Sequence, residues 1–204
     1  INNISTGKDV ETTRLCLADC GIQSKKLGKT VQIMGGAFKP PKISLNCGNS
    51  GTTVRLMAGL LAGKGVIAKF TGDKSLSKRP MNRIIDPLIK MGVSIESKNG
   101  HLPLSLTPDN LKGIQYSPEV ASAQVKSSII MAALGASGET QIQEKIKTRD
   151  HTEVMLKEFG AEIKNGNVIT VQPLKKPLDK FKITVPGDPS SAAFFAAAAA
   201  LVPN

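Results

Sequence analysis

The feature that most constrains the fold of this 204-residue chain is an internal repeat with a period of about 70 residues. In each copy a leucine stands four residues before a glycine, and a small or branched apolar residue follows the glycine; the copies are residues 17–22, 88–93 and 156–161. Glycine is favoured where a helix closes in a left-handed conformation, and the alternation of polar and apolar residues after it is typical of a strand. Each unit is therefore predicted to contain a helix, a glycine stop and a strand.

A second pattern recurs in phase with the first. Ser50, Ser122 and Ser190 each open a segment with the apolar periodicity of a helix. A serine before such a segment indicates a helix N-terminus, which presents free N–H groups and a positive dipole end to an anion. Taken singly, each serine can be an ordinary cap on a core helix, but the recurrence favours three equivalent helix ends that converge.

Together the two patterns predict an α/β fold, built as a pseudo-three-fold repeat of α/β units of about 70 residues, each with strands and two helices. A unit of this size leaves an apolar face exposed when it stands alone. We therefore expect one helix of each unit to be buried at a common centre, and the alanine-rich residues 192–201 suit close packing there.

The formal net charge of +11, from 27 Lys and Arg against 16 Asp and Glu, favours a polyanionic partner. Such a partner is a nucleic acid, an acidic surface or a small phosphate. Proteins that bind nucleic acid usually add aromatic stacking platforms. This chain has no Trp, one Tyr and six Phe, none of them interleaved with Lys or Arg, which argues against nucleic acid. No apolar run approaches the roughly 20 residues that a membrane span needs.

The three cysteines, Cys16, Cys20 and Cys47, are odd in number and lack the spacing of a metal site. They are predicted to be reduced, buried and without chemistry of their own, which favours a cytoplasmic location.

Residues 46–55 join a glycine turn to a predicted helix start. Glycine lets the backbone approach an anion closely, Thr52 supplies a hydroxyl donor and Arg55 supplies a guanidinium fork. The segment lacks the Gly-Lys-Ser/Thr ending of a Walker A loop. It predicts either an anion site or a capped helix with an exposed arginine.

Three further segments have a related composition. Residues 71–81 place three cations ahead of a helix start, as in a phosphate or carboxylate trap, although a run of charges is more often a solvated face. Residues 122–127 and 147–151 again put hydroxyl, amide and cationic groups, Lys126 among them, at predicted helix starts.

The order of these motifs along the chain closely resembles that of the 5-enolpyruvylshikimate-3-phosphate (EPSP) synthases, particularly bacterial ones. The segments that carry the resemblance are residues 45–55, 72–81, 122–127, 148–153 and 186–195. The resemblance implies a two-domain enzyme, each domain built of three α/β units, that closes over shikimate 3-phosphate and phosphoenolpyruvate. In this family the 5-hydroxyl attacks C2 of phosphoenolpyruvate, a tetrahedral intermediate forms and phosphate leaves, with no metal or organic cofactor.

The resemblance also implies roles for individual residues. The implied phosphoenolpyruvate contacts are Asn49, Gly51, Thr52, Arg79 and Gln124, and the implied shikimate 3-phosphate contacts are Ser122, Ala123, Gln124, Thr148 and Arg149. Arg55 is implied as site support, and Asp188 as hinge or site support at the crossover between domains. Some members have alanine in place of Gly51, and its methyl crowds the pocket against the herbicide glyphosate, so glycine predicts a glyphosate target.

Residues 1–186 are expected to form the N-terminal substrate-binding domain, with an incomplete first repeat. Residues 187–204 are expected to form the crossover and the first helix leading to a missing C-terminal domain. The chain begins at Ile1 without a methionine and without the family's first strand with its Lys-Ser pair, so we expect an excised piece that is inactive alone. Its expected partners are the two substrates and the missing domain, with no nucleic acid and no membrane.

Three alternatives remain open at this point. UDP-N-acetylglucosamine enolpyruvyl transferases share the fold and the reaction type but typically carry a cysteine beside phosphoenolpyruvate, and residues 78–81 and 122–124 argue against them. A non-catalytic basic module would bind nucleic acid with a steep dependence on salt. The third alternative is a folding or interaction fragment that needs a complementary chain.

Overall fold

The computed structural model describes residues 1–202, apart from the side chains of Ser190 and Ser191. The α-helices are α1 (Lys8–Asp19), α2 (Gly51–Gly63), α3 (Asn82–Lys90), α4 (Ala123–Ala133), α5 (His151–Glu158) and α6 (Pro189–Leu201). The strands are β1 (Ser24–Leu27), β2 (Thr30–Ile33), β3 (Leu45–Asn46), β4 (Ala68–Thr71), β5 (Val93–Lys98), β6 (His101–Pro108), β7 (Gln115–Tyr116), β8 (Thr140–Ile142), β9 (Ile163–Lys164) and β10 (Ile169–Val171). A 3₁₀ turn, Leu76–Lys78, precedes α3.

Two four-stranded sheets have the same topology. Their strand orders are β3-β4-β6-β5 and β7-β8-β10-β9. In each sheet the first two strands are parallel, which requires a crossover connection, and α2 and α4 provide it. The remaining pairs are antiparallel. Along the chain both units run strand, helix, strand, helix and two strands, so the predicted repeat is confirmed.

A third unit is assembled from the two ends of the chain. Strands β1 and β2 pair antiparallel, and the N–H of Val31 in β2 donates to the carbonyl oxygen of Ile1 at 2.8 Å. The neighbouring Asn2 pairs in parallel with Thr184. The order of the paired segments thus repeats that of the other two sheets, and α1 precedes β1 as α3 precedes β5. The pseudo-three-fold α/β fold class is confirmed.

The glycine stops lie where the sequence predicts them. Gly21, Gly92 and Gly160 each follow the last residue of α1, α3 or α5 by two positions, with φ of 88°, 104° and 94°. These positive φ values are strained for residues that carry a Cβ. Glycine therefore ends the outer helix of each unit and turns the chain into the following strand.

Helices α2 and α4 pack together at the centre with their backbones in close approach. A Cβ added to Gly59 of α2 would overlap the carbonyl of Ser128 in α4, and a Cβ added to Gly135 would overlap the carbonyl of Gly63. Since later residues of α2 face later residues of α4, the two helices run parallel. Their N-termini therefore lie side by side at the same end of the pair.

The expectation that residues 192–201 pack at this centre is wrong. They lie in α6, where Phe194 and Phe195 are each 80% exposed and Leu201 is 81% exposed. The apolar composition of α6 shows that burial against an apolar surface would be favourable, but it does not show that α2 and α4 provide that surface. Ser190 does not precede the helix, because α6 begins at Pro189, and its side chain lies outside the described residues.

Within residues 1–202, none of the helices combines the length and the apolar character that are needed to cross a bilayer.

Candidate anion-binding site

The N-termini of α2 and α4 are joined by one carboxamide. Gln124, in the first turn of α4, donates through Nε2 to Thr52 Oγ1 at 2.8 Å. Its Oε1 accepts from Arg55 Nη1 at 2.7 Å. The first N–H groups of each helix have no partner within the helix, and both dipoles present their positive ends here. The arrangement is suited to an anion between the two helices.

Serine caps form the start of both helices, as the sequence predicts. The Oγ atom of Ser50 accepts from the N–H of Thr53 at 3.1 Å, and that of Ser122 accepts from the N–H of Val125 at 3.4 Å. Ser50 is buried, whereas Ser122 and Ala123 are partly exposed beside Gln124. The hydroxyl of Ser122 still has its own proton to donate.

Asn49 connects the turn before α2 to the cationic segment 71–81. Its Oδ1 accepts from Arg79 Nη2 at 2.9 Å, and its Nδ2 donates to Asp73 Oδ2 at 2.8 Å. Asp73 also accepts from the N–H of Leu76 at 2.7 Å, at the start of the 3₁₀ turn. The backbone N–H of Leu76, followed by the amide of Asn49, lowers the pKa of Asp73. Sequence reasoning missed Asp73, although an Asp just before a short helical turn is a capping signal.

Positive charges are concentrated around Gly51. Arg55 is partly buried, and burial, followed by the charges of Arg79 and Arg83, lowers its pKa. A Cβ on Gly51 would lie 2.9 Å from Arg55 Nη1 and 3.4 Å from Arg79 Nη1. Like charges held this close destabilise one another, and a bound anion would relieve that repulsion. Arg83 was not predicted as a site residue, because its place in α3 shows no motif.

Thr148 and Arg149 lie in the segment before α5. The N–H and the Oγ1 of Thr148 both donate to Glu144 Oε1, at 3.2 Å and 2.5 Å. Arg149 is exposed, two residues before the first residue of the helix. The structure connects Thr148 to α4 through Glu144, which sequence reasoning did not identify.

Lys126 is buried among carboxylates and is not exposed to receive an anion, contrary to the expectation for the cations at helix starts. Its side chain is 1% exposed, and its Nζ lies 3.0 Å from Glu144 Oε2 and 2.7 Å from Glu153 Oε1. The Glu153 side chain is also 1% exposed. The contact with Glu153 is an ion pair without hydrogen-bond geometry, since neither oxygen of Glu153 has a hydrogen-bond partner. The only local signal for burial is the apolar run around Lys126.

Asp188 lies at the start of α6, where its carbonyl oxygen accepts from the N–H of Ala192 at 3.0 Å. Cys16, Cys20 and Cys47 are buried free thiols, as predicted. In the part of the chain that the structure describes, no three His, Cys, Asp or Glu side chains are grouped so that they could bind a metal ion.

Comparison with known proteins gives a consistent result. The family model for EPSP synthase (3-phosphoshikimate 1-carboxyvinyltransferase) matches residues 1–204. The 3-phosphoshikimate 1-carboxyvinyltransferase of Thermoanaerobacter sp. (strain X514) is 46% identical over 209 residues, which cover 100% of this chain and 49% of that protein. The protein of the same name from Bacillus subtilis (strain 168) is 43% identical over 209 residues, with the same coverage.

A structure of EPSP synthase from Acinetobacter baumannii is similar, with a TM-score of 0.87 and 42% sequence identity. The match covers 95% of this chain and 45% of that one. The chain spans about half the length of the curated relatives it matches.

Proposed function

Because this chain belongs to the EPSP synthase family, we propose that it holds shikimate 3-phosphate and phosphoenolpyruvate for the transfer of an enolpyruvyl group. The 5-hydroxyl of shikimate 3-phosphate adds to C2 of phosphoenolpyruvate and loses its proton while C3 gains one, and the tetrahedral intermediate then loses phosphate and a C3 proton to restore the double bond. The observation that carries the proposal is the pair of helix N-termini joined by Gln124, with Thr52 on one side and Arg55 on the other. Two polyanionic substrates require such a concentration of donors and positive charge.

The phosphoenolpyruvate side of the site is formed by Asn49, Gly51, Thr52, Arg79 and Gln124. Phosphoenolpyruvate carries a carboxylate and a phosphate, so each guanidinium can form a charge-assisted pair with it. The hydrogen bond from Arg79 to Asn49 limits the freedom of that guanidinium before the substrate arrives. Burial, followed by the charges of Arg79 and Arg83, lowers the pKa of Arg55, and a bound anion would offset the part that comes from charge repulsion.

The shikimate 3-phosphate side is formed by Ser122, Ala123, Gln124 and Arg149, with Thr148 beside Arg149 in the same segment. Ser122 and Ala123 bring the hydroxyl and the first N–H groups of α4, and Arg149 brings an exposed guanidinium from the segment before α5. These groups come from neighbouring ends of two helices, so they can surround one phosphate. Gln124 belongs to both sides, because it stands at the junction of α2 and α4.

Two residues act in support. Arg55 orients the carboxamide of Gln124 through its 2.7 Å hydrogen bond. Asp188 stands directly before α6, and we assign it to a crossover from a domain of residues 1–186 through residues 187–204 to a second domain. The role of this chain in catalysis is to position the two substrates and to stabilise their charges. Positioning and charge stabilisation together supply a large part of the lowering of the activation barrier in enzymes.

The test is a calorimetric titration of the 204-residue chain with shikimate 3-phosphate, for wild type and Arg149→Ala. We expect saturable binding that weakens about tenfold in the variant, the size of one lost charge-assisted hydrogen bond. Lys25→Ala is the charge-matched control, because Lys25 is exposed on β1, and it is expected to bind as wild type does. Equal affinities in all three proteins would contradict the assignment of Arg149, and absence of binding by folded wild type would contradict the proposed function of this chain.

A further inference from the structure

The buried ion cluster of Lys126, Glu144 and Glu153 has no place among the substrate contacts proposed above. Lys126 lies in α4 two residues after Gln124, Glu144 follows β8, and Glu153 is in the first turn of α5. A buried ion pair is costly to desolvate and contributes little to stability for its own sake. The cluster adjoins the segment that carries Thr148 and Arg149, which indicates a role toward that segment.

Glu144 accepts hydrogen bonds from both donors of Thr148, the backbone N–H and the hydroxyl. The N–H donates at 3.2 Å and the hydroxyl at 2.5 Å, and both bonds end on Oε1. The other carboxylate oxygen, Oε2, accepts from Lys126 Nζ at 3.0 Å. The hydroxyl of Thr148 has a single proton, so in this arrangement it has none to donate to a bound phosphate.

The structure assigns Lys126 and Glu144 as positioning residues for the segment that carries Arg149, with Thr148 as their attachment point; this rests on the proposed function. Lys126 fixes Glu144, Glu144 fixes Thr148, and Arg149 is thereby held facing solvent beside the N-terminus of α4. Thr148 is then an internal tether rather than a phosphate ligand. Arg149 supplies the donor that contacts shikimate 3-phosphate.

Two further contacts hold α4 against the first turn of α5, which follows the same segment. Ser127 Oγ lies 2.7 Å from Thr152 Oγ1, which joins α4 to the first turn of α5. Glu153, next to Thr152, pairs with Lys126 Nζ. An open surface pocket of about 210 Å³ borders the cluster and is lined in part by Lys147, Thr148 and Asn165. Residues that line this pocket are less enclosed by packing, so the hydrogen bonds to Glu144 supply contacts that packing does not.

Glu144→Ala is the sharpest variant, because it removes the tether but leaves the Lys126–Glu153 pair in place. Lys126→Met would leave two carboxylates unpaired and risks unfolding. We expect Glu144→Ala to weaken shikimate 3-phosphate about tenfold, since small losses of positioning have effects of this size or larger. Phosphoenolpyruvate affinity, which depends on the other loop, is expected to stay unchanged. Glu158→Ala, an exposed carboxylate at the end of α5, is the charge-matched control.

The variant Thr148→Val distinguishes two roles of Thr148: holding the segment through Glu144, or contacting the phosphate directly. If Thr148 acts through Glu144, the double variant Glu144→Ala/Thr148→Val loses no more than about tenfold, because the two changes break the same hydrogen bond. If Thr148 contacts the phosphate directly, the two losses multiply to about 100-fold, and the inference is overturned. Equal weakening of both substrates in Glu144→Ala would also overturn it, since that is the signature of general structural damage.

A readout that needs no ligand keeps this inference apart from the proposed function. In wild type the amide proton of Thr148 is expected to exchange slowly with solvent and to resonate downfield, because it donates to a carboxylate. Both properties should be lost in Glu144→Ala and retained in Glu158→Ala. Retention in Glu144→Ala would overturn the tether, whereas a wild-type chain that shows the tether but binds no shikimate 3-phosphate would contradict only the proposed function.

Discussion

Arg55 and Gln124 are 69 positions apart in the chain, yet Arg55 Nη1 donates to Gln124 Oε1 at 2.7 Å. The same carboxamide donates through Nε2 to Thr52 at 2.8 Å, so both of its polar atoms are used. Arg55 and Thr52 belong to α2 and Gln124 belongs to α4. A single side chain of α4 therefore hydrogen-bonds to two residues of the neighbouring helix end.

Gln124→Ala leaves Thr52 and Arg55, both partly buried, without this partner. We expect the free energy of unfolding to fall by about 1–3 kcal/mol, the cost of leaving such groups unsatisfied. Shikimate 3-phosphate and phosphoenolpyruvate should both bind at least about tenfold more weakly. Urea unfolding and calorimetry measure the two effects, with Gln32→Ala on the exposed side of β2 as control. Unchanged affinity for both substrates would exclude a joint role for Gln124.

Gly51→Ala brings a methyl group against two guanidinium groups. The added Cβ would lie 2.9 Å from Arg55 Nη1 and 3.4 Å from Arg79 Nη1, which are the far ends of long side chains and not backbone atoms. We therefore expect the fold to survive with little change in Tm, while phosphoenolpyruvate and glyphosate bind more weakly because the cations have moved. Gly35→Ala is the matched control, since nothing lies within 4 Å of its added Cβ. Tight glyphosate binding by Gly51→Ala would contradict this arrangement.

The repeat could be predicted from the sequence because its signals act within one helical turn. Gly21, Gly92 and Gly160 each close a helix by their own backbone conformation, and Ser50 and Ser122 each cap a helix through a nearby N–H. The position of α6 could not be predicted in this way. The apolar composition of α6 indicates that burial against an apolar surface is favourable, but contacts between residues distant in sequence decide where that surface lies.

In the candidate site, too, some features could be predicted from the sequence and others could not. The motif residues expected around phosphoenolpyruvate are linked by hydrogen bonds, as in the pairs Asn49–Arg79 and Thr52–Gln124. Their roles toward substrates stay predictions. The ion pairs of Lys126 could not be foreseen, because both counter-charges come from later in the chain: Glu144 follows β8 and Glu153 lies in α5.

Gly59→Ala tests whether the close approach of α2 and α4 is required for the site. The new Cβ would overlap the backbone carbonyl of Ser128, which cannot move aside as a side chain does. We expect the free energy of unfolding to fall by about 1–3 kcal/mol or more, despite the higher helix propensity of alanine. In the folded fraction both substrates should bind more weakly, because the helix ends separate. Stability equal to that of Gly35→Ala would contradict the packing.

Asp73 makes the link to Asn49 sensitive to acid. Because its folded pKa is lowered, the stability that it contributes is present above the unfolded value of about 3.9 and is lost as the pH falls through the folded pKa. We expect Asp73→Asn to lose less stability than wild type as the pH falls below about 4. Urea unfolding across this range measures the difference, with Asp19→Asn, an exposed carboxyl on α1, as control. Parallel pH profiles for wild type and Asp73→Asn would contradict the shift.

Cys20 is expected to resist alkylation while the chain is folded. Burial raises its pKa to about 11, whereas an unfolded thiol has a pKa of about 8.5. The folded chain therefore keeps a proton that the unfolded chain loses, and the associated stability, complete below about pH 8.5, is lost as the pH rises through about 11. At about pH 8 iodoacetamide should modify Cys20 in urea but not in the native chain, because the thiolate is the nucleophile and the side chain is 0% exposed. Mass spectrometry follows the reaction, and equal rates in the two conditions would show that α1 does not protect this thiol.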